Sequence, residues 1–430
     1  MDSIQTDSTL ESVAQPVNRL PEKFHVNVDR LRDDLDGLNT FGCIAETGGI
    51  SRTSFSDADM EGRRWLMAEM EKAGLSTRMD AVGNVFGLWP ASNAPVVMTG
   101  SHLDTVPNGG RFDGTLGVLA GLEAVRSLKE QGFSPRFPIE ILATSEEEGR
   151  FGGMLGSQAL AGAIDPDWLE TTQDDSGTLL KDAMAQHGLD ARQALQLKYQ
   201  TPIRAFIELH IEQGPVLDRK NIPVGIVEGI SGCANYSITL SGRSNHAGTT
   251  PMDMRADAFA GLAEFASAIP QIIEQAGSDQ SRLTIGQVEL KPNYPHTIPG
   301  RATFTLILRD MEENIMTTLA EICAGRLSDI ARHHDLQLDI RQVSWLSPVP
   351  CNPDIQRLLA DEADHLSLGS LTMPSGAGHD CQFMANLAPS GMIFVPSING
   401  VSHSPLEDTN WRDIEAGARL LANALARLAS

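Results

Sequence analysis

The side chains best suited to chemistry in this 430-residue chain are scattered: His102, Asp104 and Asp113 within 100–114, the run Glu146-Glu147-Glu148 before Gly149, then His210, then His403. Imidazoles mixed with carboxylates suit Zn²⁺ and its neighbours, and three His with two acids suffice for two ions if one carboxylate bridges them. Asp113 is the natural bridge. Asp104 follows His102 by two positions, where its carboxylate is placed to take the proton of the second ring nitrogen and fix the tautomer. Three adjacent carboxylates repel one another unless a cation sits among them. Otherwise a charge run is an ordinary solvated loop and a single strand His an ordinary hydrogen-bonded group, so position has to decide.

Those positions follow from the elements around them. Residues 96–99 are a β-branched run expected as a buried parallel strand, and 115–128 carries Leu116, Leu119, Leu122 and Val125 at helical spacing. His102 and Asp113 thus fall on a strand-to-helix loop at the carboxyl edge of a sheet, where open α/β folds place ligands. A strand over 138–144 feeds the three glutamates, with a helix over 154–163 behind them. The strand 204–210 alternates, so Phe206, Glu208 and His210 share one face, and 392–395 leads toward His403. Helices are expected over 28–38 and 59–73, the second capped by 54–57 and closed by Gly74, strands over 75–79 and 84–88, and a terminal helix over 411–428. The segment 165–200 is less regular.

Near Val224 the texture changes. Strands at 222–227, 235–242, 283–290, 301–309 and 337–343 alternate with amphipathic helices at 256–276 and 312–334, which reads as a small antiparallel sheet covered on one face by two helices. The expected fold is therefore α/β, a mixed and mostly parallel sheet with flanking helices, carrying an inserted α+β unit. Residues 23–224 and 344–430 would form the larger domain and 225–343 the insertion. Residues 1–22, polar and without pattern, would be a loose arm.

A formal net charge of -23, from 56 acidic and 33 basic residues, disfavours nucleic acid or an anionic membrane as partner. No signal-like segment and no apolar run of about 18 residues is present, so a cytoplasmic location is expected. Cys43, Cys233, Cys323, Cys351 and Cys381 are odd in number and lack a CxxC pair, which argues for core thiols over disulfides or a thiolate metal site.

The ordered motifs HLDTVPNGGRFDG, EEEG, ELHIEQGP, NHAGTTPM, SGAGHD and SHSPLE resemble those of the di-zinc amidohydrolase branch that contains N-carbamoyl-L-amino acid hydrolases, β-ureidopropionases and allantoate amidohydrolases, within the wider aminoacylase and carboxypeptidase superfamily. The resemblance runs from about residue 25 to the C-terminus. It implies one metal held by Asp113, Glu148 and His403 and a second held by His102, Asp113 and His210. His at position 210, where peptidase relatives carry a carboxylate, marks the ureido-acid branch. The carboxylate before the metal-binding Glu is the family's general base, here Glu147, with Asp104 beside the ligand His. The family usually reads EEGxRF, whereas Arg150-Phe151 follow Gly149 directly here. Anchoring on the upstream strand gives Glu147 and Glu148 as base and ligand; anchoring on Arg-Phe gives Glu146 and Glu147. The strand-anchored register is preferred, because a loop deletion beyond it can be absorbed.

By the same resemblance the insertion is a lid and dimerisation domain. His246 matches a residue that enters the partner subunit's active site and steadies the developing oxyanion. Arg309 matches the arginine that pairs with the substrate carboxylate, a task for which a guanidinium fork is suited. Gln213 and Gly378 match further substrate contacts. His296 departs from the family's usual Asn near the substrate carboxylate, which leaves side-chain preference open. The implied protein is a cytoplasmic homodimeric hydrolase with two divalent ions per subunit, Zn²⁺ first, with Mn²⁺, Co²⁺ or Ni²⁺ compatible with the same donors. It would cleave the C–N bond of an N-carbamoyl-L-amino acid to the amino acid, carbon dioxide and ammonia. Allantoate, ureidoglycolate or β-ureidopropionate hydrolysis and N-acyl amino acid cleavage are the alternatives within the enzyme class. A homologue that binds a ureido acid without turnover is the alternative outside it.

Overall fold

Residues 23–430 are described by the computed structural model, and the expected arm over 1–22 lies outside the described residues. Unbroken apolar runs make the strands that matter most. In chain order the larger sheet takes β1 (Ser76–Met79), β2 (Val85–Trp89), β3 (Val96–His102), β4 (Ile139–Thr144), β5 (Ile203–Ile211) and β6 (Val224–Ile230). The inserted unit then supplies β7 (Gly232–Ser241), β8 (Arg282–Thr284), β9 (Val288–Lys291), β10 (Arg301–Asp310) and β11 (Gln337–Leu346). The chain returns to the larger sheet with β12 (Val349–Pro350), β13 (Ser370–Ser375) and β14 (Ser390–Val395).

The larger sheet runs β1-β2-β4-β3-β5-β14-β6-β12, with β13 on β6. Its centre, β4-β3-β5-β14, is parallel throughout, and antiparallel pairs lie to either side. Every residue of β3, β4 and β14 is buried, as expected for parallel strands covered on both faces. The helices Thr115–Glu130 and Trp411–Ala429 pack on one face. On the other, Phe86, Met98, Phe206 and Phe394 form a second core with Leu160 and Met384 from short helices. Because the four central strands point the same way, their carboxyl ends deliver His102, the glutamate run, His210 and the loop to His403 to one edge.

The inserted sheet runs β11-β7-β10-β8, with β9 also on β10, and every pair in it is antiparallel. Ala302, Phe304, Leu306 and Leu308 alternate inward along β10 against the helices Ala258–Ala276 and Glu313–His333. Two expectations are corrected. The segment 222–227 was expected in this sheet, but β6 pairs with β13, β14 and β12 in the larger one; it is buried on both faces rather than alternately, as a strand inside a covered sheet must be. The chain therefore crosses into the insertion at Ser231 and returns through 347–348. The single strand expected over 283–290 is two, β8 and β9, which pair with separate stretches of β10.

All five cysteines are free. Cys323, Cys351 and Cys381 are buried core thiols, whereas Cys43 is exposed and Cys233 partly so, against the expectation for those two. Among the described residues no helix is long and apolar enough to cross a membrane.

Candidate active site

At the carboxyl edge of the parallel strands the two oxygens of Asp113 are divided between two sets of side chains. Oδ1 lies 3.1 Å from His210 Nε2 and 3.4 Å from His102 Nε2. Oδ2 lies 3.3 Å from His403 Nε2, which is also 3.3 Å from Glu148 Oε2. Donor atoms on a tetrahedral zinc with bonds of about 2.0–2.1 Å stand roughly 3.3 Å apart, so these four separations match the spacing of a first coordination shell, and all donor atoms of each triad lie within 4.8 Å of one another. The imidazole tautomers agree. His102 Nδ1 is 2.9 Å from the Asp104 carbonyl and His210 Nδ1 2.8 Å from the Ile211 carbonyl, so each Nδ1 donates its proton to the backbone, and it is Nε2 that would offer a lone pair to a cation once any proton there is displaced. Glu148 Oε1 is buried with no partner among the described residues. The donor set therefore fits two divalent cations sharing Asp113.

The electrostatics of these groups interlock. Burial alone would raise the Asp113 carboxyl, but hydrogen bonds from His102, His210 and His403 hold it well below the usual carboxylate range. Burial pulls His102 down, and the charges of Glu147, Asp113 and Asp104 outweigh it and push the imidazole well up. Asp113 and Glu148 raise His403 to about 10. Burial, reinforced by Glu148, Asp380 and Asp104 against the opposing charge of His102, lifts Glu147 well above the ordinary carboxylate. A raised carboxyl is suited to accept and return a proton, and its Oε2 lies 3.7 Å from His102 Nε2.

Of the three glutamates, Glu147 and Glu148 line the cavity and Glu146 does not. Glu146 adopts a positive φ of 57° and turns its carboxylate inward to accept the N–H groups of Phe151 at 2.6 Å and Gly153 at 3.2 Å. Glu148 thus stands in the triad of His403 and Glu147 beside His102.

Asp104 requires a correction. Its carboxylate was expected to hold the His102 ring, but its backbone carbonyl does so, because the turn after β3 aims that carbonyl back at Nδ1. The freed carboxylate, fully buried, accepts from Glu147 N at 3.3 Å, Glu148 N at 3.0 Å and Ser54 Oγ at 2.9 Å. Behind it Arg63 Nη2 stands 3.9 Å from Oδ1, its Nε held by Asp59 at 2.9 Å. The Asp104 carboxylate is thus hydrogen-bonded to the backbone of the glutamates rather than to the His102 ring.

The loops carrying Asp113 and His403 are tied together. Glu407 accepts from Phe112 N at 2.9 Å and Asp113 N at 3.1 Å, and Ser402 Oγ stands 2.8 Å from Glu407 and 3.0 Å from Asp113 Oδ2. Burial, with the Asp113 charge, brings Glu407 to about 7. Gly114, at φ 65°, has to lack a side chain, since a Cβ there would lie 2.4 Å from the His102 ring. Gln213, also left-handed at φ 56°, donates its amide to Asp113 Oδ2 at 2.8 Å.

A cavity of about 770 Å³ opens onto the cluster between the two units. His102, Asp113, Glu147, Glu148, His210, Gln213, Arg309, Gly378 and His403 all line it, with Met154, Trp168, Trp345 and Phe383 forming apolar wall. Arg309 reaches across from β10 and donates to the Gly376 carbonyl at 2.8 Å. His246 and His296 do not line this cavity. They sit on two exposed loops of the insertion, one after β7 and one between β9 and β10, joined by Ala247 N to the His296 carbonyl at 3.0 Å. His246 Nδ1 accepts the N–H groups of Gly248 and Thr249 at 3.0 and 3.2 Å, so the neutral ring carries its proton on Nε2 and is a donor there.

Sequence reasoning missed the supports beneath the cluster. His379 meets the His210 ring edge to face at 4.5 Å, and burial together with the neighbouring His210 holds it well below the usual histidine range. Glu208 accepts from Ser101 Oγ at 2.7 Å and Cys381 N at 3.0 Å. The alternation of β5 already put Glu208 on the face of His210, and His379 lies in the SGAGHD motif; no local pattern marks Arg63 or Asp59.

The family model described as Peptidase family M20/M25/M40 matches residues 98–427. The chain is 38% identical over 389 residues to an N-carbamoyl-L-amino acid amidohydrolase of Geobacillus stearothermophilus, covering 89% of this chain and 94% of that one. It is 38% identical over 405 residues to an allantoate amidohydrolase of Escherichia coli, covering 93% and 97%. The crystal structure of an amidase of the hydantoinase/carbamoylase family from Burkholderia multivorans superposes with a TM-score of 0.87 at 32% identity, covering 94% of this chain and 98% of that one.

Proposed function

The chain belongs to peptidase family M20/M25/M40, and on that premise we propose that it is a metal-dependent amidohydrolase of linear ureido acids, working as a homodimer in the cytoplasm, with N-carbamoyl-L-amino acids as its substrate class. The observation that carries this reading is Asp113, whose two oxygens each face a His-containing triad at 3.1–3.4 Å. Asp113, Glu148 and His403 would hold one cation and His102, Asp113 and His210 the other, Zn²⁺ first among the ions this donor set accepts. Cations bound there supply Lewis acidity to the ureido carbonyl and lower the pKa of the attacking water.

The remaining work falls to this chain's own residues. Glu147 takes the water's proton and returns it to the departing nitrogen as the C–N bond breaks. Asp104 fixes the peptide N–H groups that orient Glu147 and Glu148, and Gln213 fixes Asp113. Arg309 pairs with the substrate carboxylate, and Gly378 leaves room beside it. His246 of the partner subunit donates Nε2–H to the developing oxyanion; in its own chain it is exposed and away from the cavity, which supports service to a second copy. His296, on the loop paired with that of His246, would contribute to side-chain selection there. Five unpaired thiols suit a reducing compartment.

Allantoate or ureidoglycolate is the second reading, since an allantoate amidohydrolase is equally similar. The apolar wall of Met154, Trp168, Trp345 and Phe383 favours an amino-acid side chain over a second ureido group. The deciding experiment offers the zinc-loaded protein N-carbamoyl-L-amino acids, allantoate, ureidoglycolate, N-carbamoyl-β-alanine and N-acetyl amino acids, with released ammonia and amine measured. The highest kcat/KM is expected for N-carbamoyl-L-amino acids with apolar side chains. Turnover of N-acetyl amino acids alone, or ligand binding with no release from any compound, overturns the proposal.

A further inference from the structure

Away from the cavity, another set of metal-ligating side chains stands where the two helices of the insertion meet. Glu264, from Ala258–Ala276, and His333 and His334, at the carboxyl end of Glu313–His333, bring a carboxylate oxygen and two ring nitrogens within 4.8 Å of one another. His334 Nε2 lies 2.8 Å from Glu264 Oε2, and the two imidazoles meet edge to face at 4.9 Å between centroids. We propose that Glu264, His333 and His334 form a divalent-cation site of the inserted unit, separate from the active site, for a borderline ion such as Zn²⁺, Ni²⁺ or Cu²⁺.

The chemistry and the placement both support a cation. Two imidazoles and one carboxylate are donors for such ions, with a fourth position open to water. Donor atoms in a tetrahedral shell stand roughly 3.3 Å apart. The His334–Glu264 pair is already inside that spacing, and His333 is exposed, so rotation of its side chain closes the rest. The carboxyl end of a helix favours positive charge, and both histidines occupy that end of a 21-residue helix. The His334 backbone is fixed by its N–H to the Ile330 carbonyl at 3.0 Å, which limits the ordering a bound ion must impose.

An ion here would clasp the two helices at the base of the loop that carries His246. Asp335, next in the chain, holds Arg243 at 2.9 Å, and Arg243 lies three residues before His246. Leu336 fits beneath Gly242 and Gly261, where a Cβ would come within 2.7 Å of its methyl groups. The site itself therefore lies outside the groups that take part in the reaction.

Equilibrium dialysis of the untagged, metal-loaded protein against micromolar Zn²⁺, followed by metal analysis, compares wild type with the double variant His333→Gln/His334→Gln and with Glu264→Gln. Wild type is expected to hold one more zinc per chain than the double variant, whatever number the active site takes. Glu264→Gln should need at least about tenfold more free zinc to fill that extra equivalent. Turnover should be equal in all three, which separates loss of the site from loss of the fold. Equal zinc content in wild type and the double variant across the dialysis range overturns the proposal.

Discussion

Replacing Asp104 by Asn tests the reading that its carboxylate governs the glutamates and not His102. The two oxygens of Asp104 accept from Glu147 N, Glu148 N and Ser54 Oγ at 2.9–3.3 Å. Asn keeps one acceptor, which can serve Glu148 N and Ser54, but it turns an amide N–H toward Glu147 N and Arg63. The result is one orphaned buried N–H, costing about 1–3 kcal/mol, and a weakened buried charge pair, worth about 3–5 kcal/mol when broken outright. Arg63 retains Asp59, so the pair is weakened and not broken and contributes less than its full worth; with the orphaned N–H the total is about 3 kcal/mol. A melting entropy of about 2.1 cal/mol/K per residue over 430 residues converts this to a fall of about 3 °C in the thermal midpoint. Displacement of the 147–148 peptides should lower kcat about 10²-fold with little change in KM, and should weaken the ion held by Asp113, Glu148 and His403 about 10- to 100-fold. The His102 side keeps its tautomer through the Asp104 carbonyl. Zinc titration and steady-state kinetics of Asp104→Asn, alone and combined with His403→Ala or His102→Ala, provide the assay. Its zinc loss should overlap with that of His403→Ala and add to that of His102→Ala. The opposite pattern, or a kcat within about twofold of wild type, would refute the assignment.

Glu147→Gln should retain both ions by metal analysis yet lose about 10²- to 10⁴-fold in kcat, the usual worth of a general base; loss of metal instead would make Glu147 a ligand. Arg309→Lys keeps the charge but loses the two-pronged fork, so KM should rise about tenfold or more with kcat less affected; a fall in kcat alone would take Arg309 off the substrate carboxylate. In the chelated protein, neighbouring carboxylates raise His102, His210 and His403, the last to about 10, so His403 carries a proton at neutral pH and the other two are shifted toward their protonated forms. Because the folded values lie above the unfolded one, that stabilisation is complete below about pH 6.5 and is lost as pH rises through the folded values. The chelated protein should therefore lose thermal stability from about pH 6.5 upward, and reloading zinc at neutral pH should release protons. Calorimetry in buffers of different ionisation enthalpy measures that release; its absence would show that the imidazoles are neutral before metal arrives.

The parts of the fold legible in the sequence are those fixed by local pattern or by burial on both faces. The period Val28, Leu31, Leu35, Leu38 defines the helix Val28–Leu38, whose inner face is Leu31, Leu35 and Leu38. The runs that became β3, β4 and β14 are apolar throughout because helices cover both sides, and their shared direction brought His102, Glu148, His210 and His403 to one edge. What was not legible depends on partners distant in the chain. β6 looks equally suited to either sheet until β13 and β14 come to lie beside it. The role of Asp104 turned on which way one carbonyl faced after β3. That His246 stands outside its own cavity was implied only through the resemblance carried by NHAGTTPM, since nothing in the residue types themselves sets a histidine of one loop apart from the cavity of its own chain.

The glutamate run shows how a shortened loop can leave the chemistry in register. Relative to the EEGxRF pattern one residue is missing after Gly149, and a slip of one position would exchange base for ligand and ligand for solvent. Two independent anchors prevent it. On the strand side, Asp104 holds the N–H groups of both Glu147 and Glu148. On the loop side, Glu146 spends its carboxylate on Phe151 and Gly153, closing the shortened turn on itself, and burial takes that carboxyl to about 7. The tighter turn is reached through left-handed backbone at Gly149, Gly152 and Gly153, with φ of 81°, 131° and 94°, conformations that glycine adopts without the penalty of a Cβ. The strain of the deletion therefore falls on residues that carry no ligand, and the strand end that aims Glu147 and Glu148 at the Asp113 cluster is left unaltered.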